Sequence, residues 1–328
     1  MYPYIADCLL KRIHETVYQI ELSAGYRELM LTVVSEVIQK LKSEPEDRIP
    51  TAFLPAVFAS AFQSEIGKTI GVSSAWFLFQ IAAHLLDKVE DRELDETMTH
   101  HDRPGLILNL STGLIFTAEY LLDHLEADGV DHLAAADIRS EFHKQILGVC
   151  GGQHDDLYIE QPNLNLCWQI AKFKSGLFFG LGCYAGARII TSDLEVLSKA
   201  WDYGIHLGLI KQVADDVESF VEQDSGRSDL VSGRWTLPVA YSMEILPEMS
   251  AVELKHCLLT AAHQPQALGI AREKIVKAGA LVYLKLETMN HAFEAHKQIC
   301  SIEQAQFDRK DLTILLAQTA GMEVSDFA

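Results

Sequence analysis

A chain of 328 residues, 48% hydrophobic and without low-complexity stretches, can bury one large core or two small ones. Its 46 acidic and 27 basic residues leave a formal charge of −19, which argues against nucleic acid or an anionic membrane as a partner. The six cysteines (Cys8, Cys150, Cys167, Cys183, Cys257, Cys300) show no paired spacing, as expected of free thiols in a reducing cytoplasm. The first twenty residues mix charges into a helical period and do not resemble a signal peptide. No run of about 18 uncharged apolar residues occurs, so no membrane span is expected. These features describe a soluble, cytoplasmic protein.

Apolar residues recur every three to four positions, which predicts helices over roughly 3–22, 26–43, 51–63, 73–95, 104–126, 133–158, 165–188 and 193–221. Further helices are expected over roughly 235–245, 250–261, 267–297 and 308–320. Strand-like alternation is absent. Prolines such as Pro50, Pro104 and Pro162 fall where helices begin or end. Two longer polar connections cover 92–102, with His100 and His101, and 222–234, with Gly226 and Gly233. No linker or repeat divides the chain, so an all-α fold in a single domain over 1–328 is expected.

Two apolar helices end in acidic patches. The first carries Asp87 and Asp91, four apart and therefore on one helical face, where like charges destabilise a helix by a few tenths of a kcal/mol. The second carries Asp215, Asp216 and Glu218. Spacing alone leaves two readings open. Such ends are often simply solvated, but a hard divalent cation such as Mg²⁺ takes one or two carboxylates, waters and phosphate oxygens. His84 and His154 fall on helices and read as core or rim histidines rather than bases.

The order of several motifs resembles the trans-isoprenyl diphosphate synthase (polyprenyl synthetase) family. The family's DDxxD is similar to Asp87–Asp91, its GQxxDL to Gly152-Gln153-His154-Asp155-Asp156-Leu157, and its KTxxLF to Lys174-Ser175-Gly176-Leu177-Phe178. GxxxGxxFQxxDDxxD resembles Gly204, Gly208, Gln212, Asp215 and Asp216, and GxDLxxGKxTLP resembles Gly226 through Asp229, Gly233, Arg234 and Thr236 to Pro238. The resemblance implies a bundle of long helices around a deep apolar cavity, of isoprenoid synthase type, usually paired as a homodimer. It implies that Asp87, Asp91, Asp215 and Asp216 bind Mg²⁺ ions that grip an allylic prenyl diphosphate. Lys174, Arg234 and Arg103 would hold the diphosphate oxygens, and Gln212 would support the second metal site. Gln153, Asp156, Arg227 and Asp229 belong to the same substrate-facing motifs.

The departures from the pattern concern the second substrate. Lys88 replaces the second aspartate of the first motif and Ser219 the last of the second; Lys88 is either a solvated lysine or a phosphate contact. The basic segment that holds isopentenyl diphosphate in family elongases is reduced to Pro45-Glu46-Asp47-Arg48-Ile49-Pro50, and the arginine pair to Arg103. Gln80 stands where the family places a His or Gln near isopentenyl diphosphate. A diphosphate needs several charge-assisted hydrogen bonds and acidic replacements repel it, so this site is expected to be weakened. Ala82 and Ala83, with Phe79 and Trp76 below them, either deepen the pocket toward a C15–C20 chain or permit close helix packing. Several strings are also similar to the branch that prenylates a competence pheromone peptide. The expected activity is Mg²⁺-dependent transfer of a prenyl group to isopentenyl diphosphate or another nucleophile. A terpene synthase of the same fold and a non-catalytic subunit of a heteromeric synthase are the alternatives.

Overall fold

The computed structural model describes residues 2–45, 47–63, 66–90, 103–221, 229–232, 234–261 and 264–327, with the backbone alone at 229, 232 and 265. In chain order the helices are α1 (Tyr2–Gln19), α2 (Ala24–Lys42), α3 (Leu54–Ser60), α4 (Ile70–Glu90), α5 (Pro104–Asp123), α6 (His132–Tyr158), α7 (Leu164–Ala171) and α8 (Leu177–Arg188). They continue as α9 (Leu194–Val221), α10 (Asp229–Ser232), α11 (Leu237–Ile245), α12 (Glu248–Thr260), α13 (Pro265–Lys277), α14 (Ala280–Cys300) and α15 (Lys310–Ala320). Among the described residues there is no strand, and the fold is all-α as the periodicity predicts.

Two compact units emerge from the tertiary contacts. The first takes Met1–Lys144, Leu181–Trp201 and Gln298–Gln318. Its centre is α4, in which every residue from Ile70 to Phe79, with Ile81 and Ala82, is buried. A helix apolar all round has no solvent face to spare and must be surrounded; α5, α1 and α3 pack on it. Gly71 is required by a close approach, because a Cβ there would sit 2.1 Å from the Asp128 carboxylate. That carboxylate is tied to Arg12 of α1 at 3.1 Å.

Two helices, Ile66–Glu90 and Pro104–Asp123, are long and apolar enough to cross a membrane by length and composition alone, although neither is an uncharged apolar run. A few scattered charges and polar residues do not lower the mean hydropathy of an 18-residue window enough to fail that test. The first is 72% buried within the protein, as befits a core helix, and the second 44%.

The second unit takes Gln145–Gly180, Asp202–Lys297 and Thr319–Ala328. Phe220, Leu230, Val239, Leu254, Leu258 and Ile275 form one apolar cluster there, and Val213, Leu237 and Leu284 another. Each such side chain, fully buried, contributes roughly 1.5–3 kcal/mol. The single helix predicted over 267–297 is two helices. Gly279 adopts φ +82 and its N–H closes onto the Val276 carbonyl at 3.0 Å, so the chain turns through the left-handed region between α13 and α14.

Candidate active site

The described motif residues of the second unit are organised by three glycines. The helix predicted over 165–188 is interrupted by a π-helical turn, Lys172–Gly176, between α7 and α8. Such a turn accommodates an extra residue and re-aims the side chains around it. On α6, a Cβ at Gly152 would lie 2.7 Å from the Lys174 backbone nitrogen. On α9, a Cβ at Gly208 would lie 2.5 Å from the Ser175 carbonyl oxygen, and one at Gly204 the same distance from that of Phe179. Backbone meets backbone at all three places, which only glycine permits. The turn carrying Lys174 is thus clamped between α6 and α9.

The polar side chains of these helices converge. Lys174 Nζ donates to Asp156 Oδ2 at 2.9 Å, and Arg234 Nη2 lies 3.5 Å from the same oxygen. Ser175 Oγ donates to Gln212 Oε1 at 2.6 Å, and Gln212 Nε2 donates to Asp216 Oδ1 at 2.8 Å. The other Asp216 oxygen accepts the Leu237 backbone N–H at 2.9 Å. That N–H is one of the orphan donors of α11, so a carboxylate on α9 caps a helix that begins 21 residues downstream. Asp216 is buried while Asp215 is exposed and paired with Lys211 one turn earlier. Cys167 lies close by, its Sγ 3.5 Å from the Trp235 carbonyl. Burial, with the charges of Asp216 and Asp156 adding to it, pushes this thiol up to about 12, so it is no nucleophile at neutral pH.

In the first unit Asp87 sits part-exposed in the last turn of α4 beside Lys88. A carboxylate there faces the negative end of the helix dipole, as do Asp215 and Glu218 near the end of α9, and a bound cation relieves that cost. Gln80 is half-buried next in sequence to Phe79, whose ring packs on Phe142 at 5.7 Å between centroids. Trp76 is fully buried and faces Gly182, where a Cβ would meet its indole nitrogen at 2.9 Å. Ala82 is buried and Ala83 exposed, so the two do not share a face. Arg103 is exposed at the N-cap of α5.

The reduced basic segment is pinned from α15. Gln318 accepts the Ile49 N–H at 3.0 Å and donates to the Asp47 carbonyl at 2.8 Å, and Arg48 pairs with Glu44 at 3.3 Å. That pair is an exposed one-turn contact and holds the segment's one remaining cation only weakly. Asp91 and Arg227 lie outside the described residues, as do the Asp229 side chain, Glu46, Gly226 and Gly233. Gln153 is half-buried on α6. His84 and His154 are exposed, the latter stacked on Tyr158.

Sequence reasoning missed Ser175, the link between the turn and Gln212, and Lys211, whose four-residue spacing from Asp215 was a visible signal. It also missed a second polar cluster in this unit. His206 Nδ1 and His291 Nδ1 are 2.9 Å apart, Trp168 Nε1 donates to the Tyr283 hydroxyl at 2.9 Å, and Tyr283 stacks on Tyr241 at 4.2 Å. Burial lowers the affinity of both histidines for protons, that of His291 to about 4 with the charge of His206 as the second cause. Among the described residues no three imidazole, thiolate or carboxylate groups converge as a closed metal cage. Mg²⁺ does not require one, since it keeps several waters and binds through one or two carboxylates and substrate phosphates. Taken by themselves, the carboxylates of Asp215 and Asp216 in the second unit are hard oxygen donors of the kind that ion takes, and so is that of Asp87 in the first.

Such an arrangement of helices, with Lys174 and Arg234 gathered on Asp156 in the second unit, defines an all-α protein with a cation-bearing polar cluster. Residues 56–275 match the family model described as polyprenyl synthetase, and the chain belongs to that family. Heptaprenyl diphosphate synthase component 2 of Bacillus subtilis is 23% identical over 170 residues, 49% of this chain and 49% of that protein. The chain spans about half the length of the curated relatives it matches. Geranylgeranyl pyrophosphate synthetase from Pyrococcus horikoshii Ot3 superposes with a TM-score of 0.78 at 18% identity, covering 97% of this chain and 96% of that one. A decaprenyl diphosphate synthase from Rhodobacter capsulatus gives 0.78 at 14% identity, with 97% and 96% covered. The fold is therefore the all-α isoprenyl synthase fold.

Proposed function

We propose that the chain is a prenyltransferase that ionises an allylic prenyl diphosphate, of C15–C20 length, and passes the prenyl group to an acceptor. The observation that carries this reading is the convergence in one unit of Lys174 and Arg234 on Asp156, with Ser175, Gln212 and Asp216 linked through the same turn. Breaking the allylic C–O bond leaves negative charge on the departing diphosphate, and preorganised cations lower that barrier. Lys174 and Arg234 supply two of them. Gln212 fixes the rotamer of Asp216 while leaving lone pairs on both carboxylate oxygens. Mg²⁺, held by Asp87, Asp91, Asp215 and Asp216 in the family's motif order, would neutralise the diphosphate as a Lewis acid. An apolar cavity of the kind the family resemblance implies would keep water from the allylic cation. The assignment of Asp87 and Asp91 to the same diphosphate rests on motif order. So do the deep cavity and the homodimer, while the single domain over 1–328 rests on the absence of a linker or repeat and the cytoplasmic setting on the unpaired cysteines and the charged first helix.

The replacement of all but one basic residue in Pro45–Pro50, with two acidic residues among them, supports an acceptor other than isopentenyl diphosphate, such as a peptide or small aromatic. Incubating the purified protein with Mg²⁺ and farnesyl or geranylgeranyl diphosphate, with and without isopentenyl diphosphate, tests this by mass spectrometry. Release of inorganic diphosphate that Asp216→Ala abolishes is expected. A longer prenyl diphosphate would mark an elongase, and hydrocarbon or alcohol from a single substrate a terpene synthase. A second reading is favoured by one observation. The Bacillus subtilis relative is named a component of its synthase, which suits a subunit that needs a second chain. No diphosphate release by the protein alone, and its appearance on adding a partner, would establish that reading.

A further inference from the structure

Asp156 lies in the string whose family pattern faces substrate, yet a carboxylate repels a diphosphate. Its Oδ2 instead accepts from Lys174 at 2.9 Å and lies 3.5 Å from Arg234. The geometry behind this is rigid. Gly152 and Asp156 are one turn apart on the same face of α6, so α6 touches the Lys174 backbone with one residue and its ammonium with the other. Two cations gathered on one oxygen would repel each other without that oxygen's charge. We infer that Asp156 is a positioning residue, which holds Lys174 and Arg234 as a preassembled cation pair without touching substrate and competes with an arriving diphosphate for them.

This inference rests on the function proposed above, and its consequences have opposite signs for binding and for turnover. Asp156→Asn keeps the shape and removes the charge. The side chains are about a quarter to a third exposed, so each pair is a weak competitor, and losing both should tighten binding of inorganic diphosphate with Mg²⁺ about three- to tenfold. The kcat for prenyl diphosphate should fall tenfold or more, because the cations are no longer aimed at the leaving oxygens and product leaves more slowly. Asp156→Glu, which restores the charge, should return diphosphate affinity to that of the wild type and recover most of kcat.

Calorimetric titration with inorganic diphosphate, beside steady-state kinetics on wild type and both variants, reads all of this. Weaker diphosphate binding by Asp156→Asn would make Asp156 a ligand of substrate or metal and overturn the inference. So would unchanged binding and kcat, or a Glu variant that behaves like the Asn variant. A wild type that neither binds diphosphate nor releases it from a prenyl substrate would sink the proposed function itself, and this inference with it.

Discussion

Gly208→Ala probes whether the cation-bearing turn is set by close helix approach. A Cβ at this position stands 2.5 Å from the Ser175 carbonyl oxygen and 2.8 Å from the Gly176 Cα, and both are backbone atoms that cannot rotate away. Carbon and carbonyl oxygen normally approach to about 3.4 Å, so α9 must retreat from the turn by roughly 0.9 Å. Overpacking of this kind costs about 1–3 kcal/mol, and the better helix propensity of alanine returns about 1 kcal/mol. The same retreat stretches the Ser175–Gln212 hydrogen bond of 2.6 Å beyond useful length, at a further cost of about 1 kcal/mol. The net expectation is a loss of about 2 kcal/mol, read as a lower urea midpoint with an unchanged slope. Diphosphate release should fall by more than the stability loss explains, because Lys174 and Gln212 lie on opposite sides of the shifted contact. A variant as stable and active as the wild type would show that the glycine is not there to admit a backbone.

Gly269→Ala is the counterpart: its Cβ meets nothing within 4 Å in the interior of α13, so it should stabilise the protein by about 0.5–1 kcal/mol in the same urea titration. Asp216→Ala removes the acceptor of both Gln212 and the Leu237 N–H and should cost about 2 kcal/mol, with hydrogen exchange at the start of α11 accelerated above that elsewhere in the helix. The His206–His291 pair predicts a stability that declines with acidity. The unfolded chain takes up a proton on His291 near pH 6.5 and the folded one only near 4, so unfolding is favoured progressively as pH falls between those values. Allowing for solvent screening of this half-buried pair, the loss is about 2 kcal/mol. His291→Gln should flatten that part of the pH profile, and an equally steep profile in the variant would exclude the pair as its source.

Much of the fold was legible because helix periodicity is local. Pro104 and Pro265 open α5 and α13, as a residue without an N–H suits the first helical position. The break at Gly279 was visible as Lys-Ala-Gly but was overridden by an apolar pattern that continues through Ala280 and Leu281. The π turn was not legible. Nothing in Lys172–Gly176 itself demands it, and its setting comes from glycines 20 residues upstream and more than 30 downstream. Likewise the motif spacing brought Gln212 and Asp216 onto one face of α9, but the Leu237 N–H as their partner is a tertiary fact. Asp156 was read from its string as facing substrate, because sequence reports which residues share a motif and not which charge answers which.

The π turn also changes what kinds of variation this rod can absorb. Between Leu164 and Arg188 the winding carries one surplus residue, and the angular direction of everything after Gly176 depends on it. Removing one amino acid within the turn would let regular α-winding close up and keep the flanking helices in phase, whereas a deletion in the regular winding on either side would swing everything beyond it through about 100°. What closing the turn would move is the lysine it carries, out of the clamp between α6 and α9. A change in length is thus absorbed by the rod at this turn and nowhere else along it, at the expense of the lysine's aim.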